Sequence, residues 1–291
     1  MLFCYQSSGF AKLFINFAPM LTLDILICTI GQRIRRVPQM LLAPRNDVKY
    51  IVSWQTDMTT PDDFMWMASA FSTRPDVQVF TMDGAGLSRN RNNALLHSTS
   101  SICLIADDDC HYTDECIDHI LSAYQSNTID DIICFMAADS DGHPIKRYPV
   151  SSMAYSAAMQ TGYYPSSVEL TFRRDRIGDL KFNERFGLGS GCFISGEESI
   201  FLHDASERHL NILFKNQTVV QTDAATTGTR CPTDPDVLTA KGAVFAYCYP
   251  LHQAIWMCLK EAVHHARFSH ANPFTVFHNM MYGVKRSHTN I

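Results

Sequence analysis

The sequence predicts an α/β protein, a mostly parallel Rossmann-like sheet flanked by helices, with a helical C-terminal extension. Short apolar runs, such as Leu23–Thr29 and Ser101–Ala106, alternate with amphipathic segments, which is typical of strands joined by crossover helices. After about residue 230 the apolar residues instead recur at helical spacing. These two patterns divide the chain into a sheet-forming part and a helical part.

The composition limits what the protein can be. The chain has 291 residues, 46% of them hydrophobic, and a formal net charge of −5. This composition excludes a disordered or collagen-like chain, and the weak acidic charge argues against a general nucleic-acid-binding protein. Ten cysteines are too few for a disulfide scaffold in a chain of this length. We therefore expect buried thiols and a cytoplasmic protein.

The first elements follow in order from the N-terminus. Leu23–Thr29 predicts a buried strand, and Val48–Trp54 predicts a second one. Thr60 followed by proline and two aspartates is a strong helix start, because the carboxylates face the positive end of the helix dipole. A short strand at Val77–Phe80 precedes a helix that Ser88 can cap.

The remaining elements are a third long strand, a helix and a looser region. Ser101–Ala106 predicts a buried strand, and Asp131–Ala137 predicts another after an intervening helix. A further helix opens near Gly196. We expect residues 1–19 to be a poorly ordered extension or a misassigned start, residues 20–230 to form the α/β domain, and residues 231–291 to form the helical extension.

One helix of the extension carries an apolar stripe with Pro250 before it. The stripe consists of Leu251, Ile255, Leu259, Ala262 and Ala266. We expect the stripe to pack against the α/β domain, because this is ordinary core spacing. Contact of residues 250–267 with a membrane surface is the alternative.

Three consecutive carboxylates directly follow a buried strand. In extended backbone, Asp107 and Asp109 point to the same side, at the strand end where α/β sheets bind ligands. Carboxylate oxygens are preferred ligands of Mg²⁺ and Mn²⁺, so this pair predicts a divalent-cation site. The alternative is a solvated acidic turn that caps the next helix.

A second polar segment lies upstream, where a glycine turn leads into a helix. It supplies backbone N–H groups and side-chain donors that suit a diphosphate, at Gly86, Ser88, Arg91 and Asn92. The alternative is an ordinary capped surface helix with solvated arginines.

Two adjacent acids open the helix near Gly196. A carboxylate that points into a cleft can act as a general base, so Glu197 and Glu198 are the candidate catalytic residues. The competing interpretation is a capping box, in which Glu198 only accepts a hydrogen bond from the backbone of Ser195.

Taken in order, these segments resemble the family 2 glycosyltransferases of the GT-A fold. Gly86–Asn93 is similar to the family's G-L-S-x-A-R-N segment, and Ile105–Asp109 is similar to its D-x-D strand end. Phe182–Gly189 followed by Gly196–Glu198 resembles its F-D-E-x-F-G…G-E-D stretch. The resemblance covers about residues 20–205, in four ordered segments.

The resemblance implies an inverting transferase that uses a nucleotide-sugar donor and a divalent cation, Mn²⁺ or Mg²⁺. Asp107 and Asp109 would hold the cation, Asp107 and Asp108 would contact the donor, and the base would be Glu198, with Glu197 as the alternative. The family reading assigns residues 20–135 to nucleotide-sugar binding. It assigns residues 136–230 to the acceptor and catalysis.

The implied partners are a nucleotide-sugar donor and a glycan or lipid-linked acceptor, with no nucleic acid. The implied setting is surface-polysaccharide or glycolipid synthesis, in the cytoplasm or peripherally on the cytoplasmic membrane face.

The chain departs from the family pattern near the nucleoside. The usual P-T-x-N after the first strand is missing, and Gln55 and Asp57 stand where an acidic pair is more common. Thr29, Gln55 and Asp57 are therefore further donor-binding candidates. Two other functions stay open, a sugar-phosphate nucleotidyltransferase and a non-catalytic nucleotide-sugar-binding relative.

Overall fold

The computed structural model describes residues 20–57, 59–222 and 234–289. The predicted extension at residues 1–19 and the predicted junction between residues 230 and 231 lie outside these residues.

The described part of the chain contains eight strands, which alternate with helices through the first two-thirds of the sequence. The strands are β1 (Leu23–Ile30), β2 (Val48–Gln55), β3 (Val77–Met82), β4 (Ile102–Asp107), β5 (Ile132–Ala138), β6 (Met153–Ala154), β7 (Leu170–Arg173) and β8 (Ile212–Gln221). The helices are α1 (Pro61–Ala70), α2 (Leu87–His97), α3 (Asp114–Ser126), α4 (Tyr155–Gln160), α5 (Arg174–Ile177), α6 (Glu197–Glu207), α7 (Pro235–Cys248), α8 (Leu251–Phe268) and α9 (Pro273–His288). Two 3₁₀ helices, Gly31–Met40 and Ser167–Glu169, complete the set.

The strands form one mixed, mostly parallel sheet, which confirms the predicted fold class. The strand order is β3-β2-β1-β4-β7-β5-β8-β6. β1, β2, β3 and β4 run parallel to one another, and β5 runs parallel to β8. β7 lies antiparallel between β4 and β5, and β6 pairs antiparallel with β8.

The parallel register brings the carboxyl ends of three strands to one edge of the sheet. Cys28 of β1 lies opposite Asp107 of β4, and Ile30 of β1 lies opposite Gln55 of β2. Polar residues that follow these strands in the sequence are therefore neighbours in space, as the open α/β architecture requires.

Apolar side chains cover both faces of the sheet. Ile25, Val52 and Leu104 pack on one face, with helix α3, while Leu26 and Ile105 belong to the cluster on the other face. Strands that are buried on both faces read as near-continuous apolar runs, which is why β1 and β4 could be located from the sequence.

Helices α7 and α9 pack together through two glycines. A Cβ atom on Gly242 of α7 would lie 1.9 Å from the carbonyl oxygen of Met280, and one on Gly283 of α9 would lie 1.9 Å from that of Thr239. Only glycine allows two helix backbones to approach so closely. The pair therefore fixes how α7 crosses α9.

The predicted packing face of α8 is wrong. Leu251, Ile255 and Leu259 are 54%, 36% and 44% exposed, and Ala262 is the one stripe residue that is fully buried. The buried residues of α8 are Ala254, Cys258, Ala262 and His265. The inward face uses small side chains, because α7 and α9 pack against it, so the larger apolar side chains are left on the outside.

Two features bear on the environment of the protein. No helix in the described ranges is both long enough and apolar enough to cross a bilayer. The eight cysteines within those ranges are free, and five of them are buried: Cys28, Cys103, Cys110, Cys134 and Cys258. The expectation of buried thiols is therefore confirmed at these positions.

Candidate active site

A cavity of about 1000 Å³ opens at the carboxyl ends of the parallel strands. Thr29, Gln55 and Asp107 line it from the ends of β1, β2 and β4, and Glu198 lines it from the start of α6. At its other end the wall is built by α7 and α8, which contribute residues such as His265. One space therefore joins the sheet edge to the C-terminal helices.

The three aspartates at the end of β4 face different surroundings. The side chains of Asp107 and Asp109 are 35% and 32% exposed, whereas that of Asp108 is 2% exposed. Asp108 accepts hydrogen bonds from the Thr29 hydroxyl at 2.6 Å and from the Arg33 guanidinium through Nε at 2.9 Å and through Nη2. Asp108 is therefore fully bonded within the protein, and Asp107 and Asp109 keep oxygens open to the cavity.

Negative charge at the strand end is only partly compensated. The pKa of Asp107 lies above its ordinary value, because burial disfavours the carboxylate and because Asp109 and Glu198 repel it, against the opposing attraction of Arg91. An added cation would relieve this repulsion, and open carboxylate oxygens are hard ligands. The residues therefore fit a divalent cation.

A different acidic group lies in the turn after β5. Among the described residues, Asp139, Asp141 and His143 are close enough together to share one cation. They do not line the cavity, and exposed acidic turns commonly exist without an ion. This group therefore has no part in the candidate site.

Arg91 lies at the centre of the hydrogen-bond network of the site. Its side chain is 1% exposed. It donates to Glu197 at 2.9 Å, to Ser167 at 2.7 Å and, at 3.4 Å each, to Glu198 and Asp107. The alternative of a solvated surface arginine is therefore wrong. Arg91 joins the strand-end aspartate to both acids of α6 inside the protein.

The two acids of α6 differ in access. Glu197 is 4% exposed, and its pKa is raised to about 7, mainly because burial and the charge of Glu198 disfavour its ionised form, although Arg91 opposes this. The Glu198 side chain is 18% exposed and lines the cavity. A ligand in the cavity can therefore reach Glu198 more easily than Glu197.

The competing capping box is not formed at this helix. The N-cap of α6 is Gly196, whose φ of 101° is left-handed, and no side chain caps the helix there. Glu198 instead interacts with Arg91. The capping explanation for this carboxylate is therefore wrong.

Several predicted donor-binding residues lie on the cavity wall. Thr29, Gln55 and Gly86 line it together with Arg91 and the strand-end aspartates. The Gln55 amide donates to the carbonyl of Gly86 at 3.3 Å, which ties the turn before α2 to the end of β2. These contacts place the hydrogen-bond donors of the turn before α2 beside the carboxyl ends of the strands.

Other predicted donor-binding residues have structural partners and do not line the cavity. Ser88 donates to the carbonyl of Phe186 at 2.6 Å, and the N-cap of α2 is Gly86 instead of Ser88. Asn92 donates to the carbonyl of Phe182 at 2.9 Å, and Asp57 accepts a backbone N–H from the turn before α2 at 3.3 Å. These bonds anchor α2 and its flanking loops.

Several charged or titratable residues that line the cavity were not predicted from the sequence, among them Arg33, Lys146, Lys241 and His265. Arg33 belongs to the 3₁₀ helix Gly31–Met40, which directly follows β1. Lys241 and His265 come from the C-terminal helices. No sequence motif marks them, because the fold alone brings them to the site.

Comparison with protein families identifies one domain. Residues 60–195, just under half of the chain, match the model of the family described as "Glycosyl transferase family 2". No curated protein matches the sequence.

Several solved structures have the same fold. S. aureus TarS 1-349 is 13% identical, with a TM-score of 0.60 over 87% of this chain and 74% of that chain. Its complex with UDP-GlcNAc is 12% identical, with a TM-score of 0.58 over 87% of this chain and 75% of that chain. The mannosyltransferase PcManGT from Pyrobaculum calidifontis, in complex with GDP-Man and Mn²⁺, is 12% identical, with a TM-score of 0.56 over 93% of this chain and 88% of that chain.

Proposed function

Because this chain carries a glycosyl transferase family 2 domain, we propose that it is an inverting glycosyltransferase, which moves a sugar from a nucleotide diphosphate sugar to an acceptor hydroxyl. One observation carries the proposal. The accessible carboxylate of Glu198 and the open carboxylates of Asp107 and Asp109 line the same cavity, at the carboxyl ends of the parallel strands.

The donor binds at the sheet edge. Thr29, Gln55 and Gly86 line this end, and Gly86 is the N-cap of α2, where the positive end of the helix dipole suits a diphosphate. The nucleotide sugars present in two of the similar structures, UDP-GlcNAc and GDP-Man, support a donor of this class. We assign residues 20–135 to donor binding and residues 136–230 to the acceptor and catalysis.

Asp107 and Asp109 hold a divalent cation, Mn²⁺ or Mg²⁺, beside the diphosphate. The cation supplies positive charge for the leaving nucleoside diphosphate. The uncompensated charge at Asp107 supports this assignment, as does Mn²⁺ in the similar mannosyltransferase. Asp108 positions this group through Thr29 and Arg33 and is not a ligand, because its oxygens are already bonded.

Glu198 acts as the general base. Its carboxylate takes the proton of the acceptor hydroxyl, and the oxygen attacks the anomeric carbon from the side opposite the diphosphate. The bond to the diphosphate breaks, and the nucleoside diphosphate leaves with the electron pair, so the configuration inverts. Arg91 keeps Glu197 and Glu198 in place, and Glu197 contributes to the site through Arg91.

The acceptor is a glycan or a lipid-linked sugar, in surface-polysaccharide or glycolipid synthesis on the cytoplasmic side of a membrane. The outward face of α8 supports a peripheral membrane contact. Ile255, Trp256 and Val263 are exposed there, and the exposed cations Lys260 and Arg267 adjoin them. An apolar strip beside cations suits an anionic membrane surface.

The test of the base compares Glu198→Gln with the wild type. We expect sugar transfer to fall by about 10²- to 10⁴-fold, because no carboxylate remains at this position to take the proton of the acceptor hydroxyl. The affinity for the nucleotide should be unchanged. The matched control is Ser199→Ala, a neighbouring residue on the same cavity wall. Near-normal transfer by Glu198→Gln would move the role of base to Glu197.

A further inference from the structure

The helical end of the cavity contains an unsatisfied polar group. His265 of α8 is 7% exposed and lines the cavity. Among the described residues, its Nδ1 atom has no hydrogen-bond partner. Buried polar atoms are nearly always bonded, so an orphan on a cavity wall indicates a missing partner.

Two further groups surround this histidine. Lys241 of α7 lines the cavity, and its ammonium lies 2.6 Å from the carboxylate of Glu261. The same carboxylate lies 3.8 Å from Nε2 of His265. Burial and the nearby Lys241 hold the pKa of His265 below its ordinary value, so the imidazole is neutral near pH 7. Lys241 and Glu261 compensate each other, and the cluster has no net charge.

The walls around this cluster are aromatic. Tyr155, Tyr164, Phe245 and Tyr249 line the same space. Tyrosine combines an apolar ring with a polar hydroxyl, which suits a ligand that has apolar faces and a polar edge. A sugar ring has this character, whereas a phosphate does not.

The cavity is also large enough for two ligands. Its volume of about 1000 Å³ is at the upper end of the range for small-molecule sites. A donor at the strand ends fills only the part that Thr29, Gln55 and Asp107 line. The part between Glu198 and His265 stays free for a second molecule.

We propose that His265 and Lys241, from the C-terminal helices, form a subsite for a neutral, hydroxyl-bearing sugar unit of the acceptor. A hydroxyl group of this unit donates to Nδ1 of His265, and Lys241 donates to a second oxygen. The proposal rests on the proposed function, since it places the acceptor of that reaction. It adds residues of the helical extension to the acceptor site proposed within residues 136–230, at a distance from the base.

The test titrates a panel of neutral methyl and p-nitrophenyl glycosides by saturation-transfer NMR, with inorganic phosphate as a separate arm. We expect at least one glycoside to bind. His265→Ala and Lys241→Met should each weaken its binding by about tenfold, the effect of one lost hydrogen bond. His264→Ala is the matched control, because this neighbouring histidine is exposed, and it should leave binding unchanged. Melting temperatures identify a variant that has lost its fold, and Lys241→Met then carries the test because Lys241 is 39% exposed.

Hydrolysis of nucleotide sugars without acceptor separates this inference from the proposed function. We expect the wild type and the control His264→Ala to hydrolyse the donor with the same KM. If the wild type hydrolyses a donor but binds no glycoside, or if neither variant weakens glycoside binding, the subsite is wrong. Binding of phosphate in a Lys241-dependent way would also overturn it, in favour of an anionic acceptor group. If no nucleotide sugar is bound or hydrolysed but glycosides bind through His265, the proposed function fails and the subsite stands.

Discussion

The two ends of the cavity hold their charged groups in opposite ways. At the strand end, Arg91 is 1% exposed and contacts three carboxylates and a hydroxyl. At the helical end, Lys241 is 39% exposed and pairs with the carboxylate of Glu261, while His265 keeps an unpartnered nitrogen. Unpartnered polar atoms occur at both ends, since Arg91 Nε and Glu197 Oε2 also lack a hydrogen-bond partner among the described residues. The two ends differ in charge: the strand end is a network with excess negative charge, and the helical end has no net charge.

This difference indicates that the two ends of the cavity have different functions. Excess negative charge at open carboxylates favours a cation and the diphosphate that it would accompany. Neutral, unpartnered groups between aromatic walls favour a polar ligand without charge. The strand end therefore suits the chemical step, and the helical end suits the selection of an acceptor.

The largest expected difference between the two ends is in stability. Arg91→Met should lower the free energy of unfolding by about 3–5 kcal/mol, because it leaves buried carboxylates without a partner. Lys241→Met should cost less than about 1 kcal/mol, since its ion pair is partly exposed to solvent. Urea unfolding of both variants and the wild type measures the difference. An equal loss of unfolding free energy in the two variants would show that both ends depend equally on these cations.

A second difference is in the response of stability to pH. The pKa of Glu197 is raised from 4.5 to about 7 in the fold, so the folded state binds more protons than the unfolded state between these values. Stability from this group is therefore present below about pH 4.5 and is lost as the pH rises towards 7. We expect the wild type to lose on the order of 2 kcal/mol over this window relative to Glu197→Gln. The exposed Glu207→Gln is the control, and an identical pH profile in the wild type and Glu197→Gln would contradict the account.

His265 should respond in the opposite direction. Its folded pKa lies below 6.5, so the unfolded state binds the extra proton as the pH falls through 6.5. Stability from this group is therefore lost towards acid pH and is regained as the pH rises. In the same titrations, His265→Ala should show less acid destabilisation than the wild type.

The smallest expected effect concerns the outward face of α8. Lys260→Ala should weaken binding to vesicles that contain anionic lipid by about fivefold, since one cation near the surface contributes about 1 kcal/mol. Lys285→Ala, on the exposed side of α9, should have no effect. Vesicle sedimentation measures both, and the fluorescence of Trp256, which is 62% exposed, should shift to the blue on binding. Equal binding by both variants, or none by the wild type, would limit α8 to packing inside the protein.

The same comparison explains what the sequence could predict. Asp107 and Asp109 could be predicted as candidates because a buried strand ends at Asp107, and parallel strands end at one edge of the sheet. Glu197 and Glu198 were found because they open a helix after a glycine-rich turn. At the strand end, the candidate site residues are therefore marked by a local sequence pattern.

The helical end could not be predicted in this way. The apolar spacing of α8 favoured the face of Leu251, Ile255 and Leu259, but the packed face instead carries Ala254, Cys258 and Ala262. His265 lies on that inward face, and no periodic pattern distinguishes it from the exposed His264. The side of a helix that packs is decided by tertiary contacts, which single-sequence periodicity does not contain.

A thermal-shift screen of nucleotide sugars with Mn²⁺ and with Mg²⁺, on the wild type and Asp109→Asn, tests the central claim most directly. Ligands that bind the folded state raise the melting temperature. We predict that one nucleotide sugar stabilises the wild type only when the metal is present, and that Asp109→Asn loses this dependence. Stabilisation of Asp109→Asn by the same donor and metal, equal to that of the wild type, would contradict the assignment of the strand end as the donor and cation site.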